Sequence, residues 1–223
     1  MLIDMKKVLV VLSGCGVFDG AEIHESVLSL LALDEAGAEV TCTAPDIDQV
    51  HVINHVTGEV IPDESRNVLV ESARIARGKI KSLDEIQMEN FDAILFPGGF
   101  GAAKNLSNFA LKGTDASVHP EVERVLKEAH TQKKPIGLLC ISPSIATQVL
   151  GDLKIQFTIG TDQDTAQALE TWGATHKECP FDSVVIDSHN KIVSSPAYMT
   201  AEKISQINIG IRKLVASLLE LCD

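Results

Sequence analysis

The sequence predicts an α/β fold, a three-layer α/β/α sandwich around a mostly parallel sheet. Two observations carry that reading. Apolar runs at 6–12 (KKVLVVL), 91–99 (FDAILFPGG) and 134–140 (KPIGLLC) alternate with stretches of helical pattern. Strands that are apolar throughout, instead of alternating with polar residues, belong to sheets covered on both faces. Length agrees: 223 residues suit one substantial domain over 1–223, with no low-complexity linker or fixed-period repeat.

The elements follow in order. After the first strand comes a glycine-rich loop, SGCGVFDG at 13–20, and then a helix from about Gly20 to Glu35, closed by Gly37. Asp19 with Glu22 three residues on resembles a capping box. AEVTCTAP at 38–45 is a second strand, and VHVINHVTGEVI at 50–61 reads as a hairpin around Thr57-Gly58. A short helix over 64–76 leads into a basic loop, ARGKIKSLDE at 76–85. A helix over Glu121–Gln132 precedes the strand at 134–140, and SPSIATQVLG at 142–151 is helical. A strand-like stretch near 155–160, a helix near 164–172, a hairpin of DSVVID and KIVSS, and a terminal helix from Ala201 to Leu221 complete the chain.

Composition bounds the function. A formal charge of −12 argues against nucleic-acid and anionic-membrane surfaces. With 4% aromatic residues, broad stacking surfaces are not expected either. The apolar run near the amino terminus is too short to span a membrane, and Asp4 with the following glycines suits a core strand better than a signal peptide. Five scattered cysteines (Cys15, Cys42, Cys140, Cys179, Cys222) show no metal-ligand spacing. They predict a reducing, cytoplasmic setting with no metal or cofactor site.

The chemistry centres on Cys140. It lies between a buried strand and Ser142-Pro143, a helix-start signal with Ser at the cap and Pro at the first turn. That is the setting of a nucleophile elbow, and a helix amino end favours a thiolate. A packed core thiol is the alternative. Ligands in such sheets bind beyond the carboxyl ends of the strands, so loops 13–19, 97–101 and 140–143 should converge. Glu25 shares a helical stripe with Ala21, Leu28 and Ala32, which predicts a partly buried carboxyl fit to shuttle a proton. Gly98 and Gly99 let the backbone approach a ligand, and their N–H groups with that of Ile141 could form an oxyanion hole. Cys15, His24, Lys104 and Asn105 are possible pocket residues. His24 could instead pack above Leu28 and Leu31, Cys15 could be a passive loop thiol, and Lys104 could face solvent.

Taken together, SGCGVFDGAEIHES (13–26), HVINHVTGE (51–59), FPGGFGAAKNLSNFA (96–110), LLCISP (138–143), TIGTD (158–162) and IVSSPAYM (192–199) resemble the ThiJ/PfpI superfamily. Within it the chain is most similar to the glyoxalase branch described as isoprenoid biosynthesis proteins with an amidotransferase-like domain. The resemblance implies a flavodoxin-like, class I glutamine amidotransferase-like topology. It also implies Cys140 as nucleophile, Glu25 as the acid, Gly98, Gly99 and Ile141 as oxyanion donors, and a homodimer. The expected activity is glutathione-independent conversion of glyoxal to glycolate, with reversal of early glycation adducts as a related reaction. Ile141 stands where the superfamily often has histidine. The His-x-Glu spacing of a glutaminase occurs only at His176-Lys177-Glu178, ahead of the final strand pair, so glutamine hydrolysis is not expected. A redox-sensing or metabolite-binding protein with little turnover is the competing function.

Overall fold

A computed structural model describes residues 5–222; Asp4 lies outside the described residues. The chain forms β1 (Lys7–Val11), α1 (Ile23–Glu35), β2 (Glu39–Ala44), the small hairpin β3 (Ile53–Asn54) and β4 (Glu59–Val60), and α2 (Val68–Ile75). Then follow β5 (Ile80–Ser82), β6 (Ala93–Phe96), α3 (Phe100–Lys104), α4 (Phe109–Lys112), α5 (Pro120–Thr131), β7 (Ile136–Leu139) and α6 (Pro143–Leu150). The last third is β8 (Gln156–Phe157), α7 (Gln163–Glu170), β9 (Thr175–His176), β10 (Val185–Asp187), β11 (Ile192–Ser195) and α8 (Ile204–Glu220).

Seven strands make the central sheet in the order β10-β11-β7-β6-β1-β2-β5. Every neighbouring pair is parallel except β10–β11. Side chains of β1 alternate between the two faces. Leu9 and Val11 join Phe96 and Leu138 beneath Val125 of α5 and Ile145 of α6. Val8 and Val10 join Leu95 and Leu139 beneath Leu33 of α1 and Leu214 of α8. The strands are apolar on both faces because both faces are roofed, and each fully buried aliphatic side chain contributes about 1.5–3 kcal/mol. The layers are the predicted α/β/α.

The chain leaves β1 toward β2 and β5, then returns to β6 on the other side of β1. The crossovers leave β1 and β6 in opposite directions, yet the loops that follow them meet at the carboxyl ends of those strands. The Glu22 N–H donates to the Gly98 carbonyl at 2.9 Å and the Phe100 N–H to the Val17 carbonyl at 2.8 Å.

Several local expectations need correction. Helix α1 starts at Ile23, not Gly20, because Glu22 is its cap and accepts from the Glu25 N–H. Asp19 takes no part in that cap; its carboxylate accepts from the Ile53 N–H at 2.7 Å and ties the first loop to the hairpin. The basic loop contains strand β5, paired with β2. The stretch between β6 and α5 holds α3 and α4, which carry no long apolar pattern.

Candidate active site

Cys140 directly follows β7 and adopts φ +56°, the left-handed region that a non-glycine residue occupies at a cost of about 1–3 kcal/mol. Three contacts hold it there. Its N–H donates to the Ser195 carbonyl of β11 at 3.0 Å. The Ser142 hydroxyl accepts from the Leu139 N–H at 2.8 Å and donates to the Phe96 carbonyl at 3.0 Å. Ser142 stands at the N-cap position of α6 as expected, but its side chain makes no capping bond; it turns back and rivets β7 to β6 across the elbow. Pro143 opens α6 directly after. Its missing N–H is harmless at the first helical position.

Glu25, in the first turn of α1, is completely buried. One carboxyl oxygen accepts from the Gly98 N–H at 2.8 Å and the other from the Tyr198 N–H at 3.4 Å. The carboxyl sits beside the Cys140 thiol: a Cβ built on Gly98 would lie 2.6 Å from Glu25 Oε2 and 3.1 Å from Cys140 Sγ. Gly98 makes this meeting possible, since that Cβ would also lie 2.4 Å from Cys140 Cβ. Gly99 turns the chain at φ +93°, and a Cβ on it would lie 2.4 Å from the Glu22 nitrogen.

Electrostatics follow from burial. Desolvation, with help from the Glu22 charge, pushes the Glu25 carboxyl up to about 8, against the opposing Gly98 and Tyr198 hydrogen bonds and the nearby Cys140 thiol. Desolvation also pushes the Cys140 thiol well above its usual range, and the Glu25 charge adds to that; the Gly99 and Ile141 amides oppose it. The thiol is therefore not ionised by its helix start alone, as the sequence suggested. Two acids in one dry site cannot both lose their protons cheaply, so they titrate as a pair.

The amides divide differently from the expected trio. Gly98 is committed to Glu25 and is not free to hold an oxyanion. Gly99 and Ile141 are the two that face the sulfur.

The other sequence-picked residues lie elsewhere. Cys15 lines a separate open groove of about 810 Å³ with Ile23, Val27, Arg74 and Arg77, and its thiol is raised mainly by burial. It is not part of the Cys140 cavity. The His24 side chain is half exposed, with Nδ1 2.7 Å from the Tyr198 hydroxyl instead of packed over Leu28 and Leu31. Lys104 donates to the Phe18 carbonyl at 3.0 Å and lies over the Phe100 ring. Asn105 is buried: its amide donates to the Ser13 and Asp19 carbonyls, both at 2.9 Å, and its oxygen accepts from the Val50 N–H. Both residues fix the glycine-rich loop. His176 packs against the Phe157 ring, centroids 5.4 Å apart, and does not line the Cys140 cavity.

That cavity measures about 330 Å³. Its walls are Val17, Phe100, Ala103, Phe109, Ile141 and Met199, with Asp162 and Thr165 at the polar side. Sequence reasoning missed Met199, the Tyr198 amide and the Ser195 carbonyl. Their signal was available: residues just past the strand beside β7 must reach the same end of the sheet.

The sequence model of the DJ-1/PfpI family matches residues 6–205. The rat "ES1 protein homolog, mitochondrial" is 49% identical over 96% of this chain and 84% of its own length. The human "Glutamine amidotransferase-like class 1 domain-containing protein 3, mitochondrial" is also 49% identical, over 96% of this chain and 83% of its own. A crystal structure from Ehrlichia chaffeensis, of an isoprenoid biosynthesis protein with amidotransferase-like domain, matches at TM-score 0.91 and 38% identity. It covers 98% of this chain and 100% of that one. The mitochondrial names of the two relatives overturn the cytoplasmic expectation. Scattered thiols report a reducing setting and do not discriminate between reducing compartments.

Proposed function

The chain belongs to the DJ-1/PfpI family, and on that premise we propose that it is a cofactor-independent glyoxalase using Cys140 and Glu25. The observation that carries this reading is the juxtaposition of a strained, buried thiol and a fully buried carboxyl, which meet at Gly98. Removing one proton from the pair gives the reactive monoanion. The Cys140 sulfur then adds to an aldehyde carbon of glyoxal, and the pair's remaining proton goes to the new alkoxide, giving a hemithioacetal. Glu25, now a carboxylate, takes the proton from that carbon and returns it to the neighbouring one through an enediol. One carbon is oxidised and the other reduced, so no external redox partner is needed. Water hydrolyses the resulting thioester, releasing glycolate and the thiol. The Gly99 and Ile141 amides, aimed at the sulfur, are suited to hold negative charge nearby.

Reversal of early glycation adducts begins with the same thiol addition and is compatible with this site. The redox-sensing alternative draws no support, since sensor cysteines are exposed and have lowered pKa values, whereas Cys140 is buried and raised. Purified protein should convert glyoxal to glycolate, and Cys140→Ala should lower the rate by at least about 10³-fold. Undiminished consumption by folded Cys140→Ala overturns the mechanism.

A further inference from the structure

The walls around Cys140 do not match the size or polarity of glyoxal. Glyoxal has two carbons and two oxygens and displaces about two waters' worth of space, roughly 60 Å³. The cavity holds about 330 Å³, and its lining is mostly aliphatic and aromatic. Among the described residues, no lysine, arginine or histidine lines it. Of its two polar side chains, Asp162 caps α7, accepting from the Thr165 N–H at 3.1 Å and the Thr165 hydroxyl at 3.0 Å. Both partners in that cap are therefore already engaged with each other. Phe109 is braced edge-on by Trp172, ring centroids 5.9 Å apart, which fixes one wall as a rigid aromatic surface. Apart from the Gly99 and Ile141 amides, which belong to the reacting centre, nothing in the described lining could pair with a carboxylate or phosphate on the substrate, and the Asp162 carboxylate would repel one.

We infer that the preferred substrates are uncharged 2-oxoaldehydes carrying an apolar substituent of about phenyl size, the substituent lodged between Phe109 and Met199. This rests on the glyoxalase reading of the same site. The chemistry balances as before: the aldehyde carbon of R–CO–CHO is oxidised, the ketone carbon is reduced, and water completes R–CHOH–COOH. The apolar group adds buried contact without touching the reacting atoms. Specificity of this kind amounts to about 10-fold or more per well-packed group.

The test uses the full chain with glyoxal and phenylglyoxal as probes, with the hydroxy acids glycolate and mandelate as products. The expected result is a kcat/KM for phenylglyoxal at least about tenfold above that for glyoxal, both lost in Cys140→Ala. Phe109→Ala and Ala110→Phe, one opening the wall and one filling the mouth, should each lower the phenylglyoxal-to-glyoxal ratio several-fold. Cys140-dependent glyoxal turnover with no preference for phenylglyoxal overturns this inference and leaves the glyoxalase reading intact. Absence of Cys140-dependent turnover of either compound overturns both.

Discussion

At Glu25, burial and a neighbouring charge separate the folded-state pKa, about 8, from an ordinary carboxyl near 4.3. The folded state therefore binds the extra proton between those values. The Glu25 contribution is at its full strength below about pH 4.3 and is lost as pH rises through about 8. Glu25→Gln has no such titration. Its melting temperature relative to the native protein should rise between pH 5 and pH 8, measured by thermal unfolding in matched buffers; a constant difference would count against the shifted carboxyl. The same proton governs rate. Glyoxal turnover should climb with pH toward about 8 as the Cys140–Glu25 pair reaches its monoanion, and Glu25→Gln should erase that limb along with most of the activity. Gly98 is constrained by space alone. Gly98→Ala puts a methyl within 2.4 Å of Cys140 Cβ, so it should destabilise the protein by about 1–3 kcal/mol in denaturant titration.

Among the elements, α6 and its entry turn show what sequence conveys and what it withholds. KPIGLLC followed by Ser-Pro announced a strand, a tight turn and a helix, and all three are present. Ser142 was legible as a helix-start residue but not as a rivet, because a hydroxyl's choice among nearby backbone groups depends on tertiary neighbours such as Phe96. Ser142→Ala leaves the Leu139 N–H and the Phe96 carbonyl without that partner, at a cost of about 1–3 kcal/mol. The denaturation midpoint should fall and Cys140 should alkylate faster, as its elbow loosens. Glu25 was legible because a carboxylate in the Ala21–Leu28–Ala32 stripe has to face the interior. The amide assignment was not: a Pro-Gly-Gly run says the backbone bends, not which N–H points where. Strand β5 escaped notice because Ile80-Lys81-Ser82 is a three-residue edge strand with a charged middle. Cys15 lies outside the Cys140 cavity because the Asp19 carboxylate ties the first loop to the hairpin while Asn105, just after α3, holds the loop's Ser13 and Asp19 carbonyls.

Across the whole molecule, topology was the most readable layer, since parallel strands buried on both faces leave long apolar runs that edge strands lack. The same distinction sets dynamics. Amides of β1, β6 and β7 should exchange with solvent only on global unfolding, whereas those of the exposed β3–β4 hairpin should exchange within the fastest class; mass-spectrometric hydrogen exchange reads both. The Tyr198 amide that supports Glu25 lies 173 residues further along the chain, and the Ser195 carbonyl that seats Cys140 lies just before it. During synthesis the sulfur-bearing strand is made well ahead of both. At about 5–20 residues per second, the 58 residues from Cys140 to Tyr198 take roughly 3–12 s to add. Throughout that interval the nascent chain carries an ordinary thiol, and the chemistry is switched on only when the last third of the polypeptide has been added and closes over it.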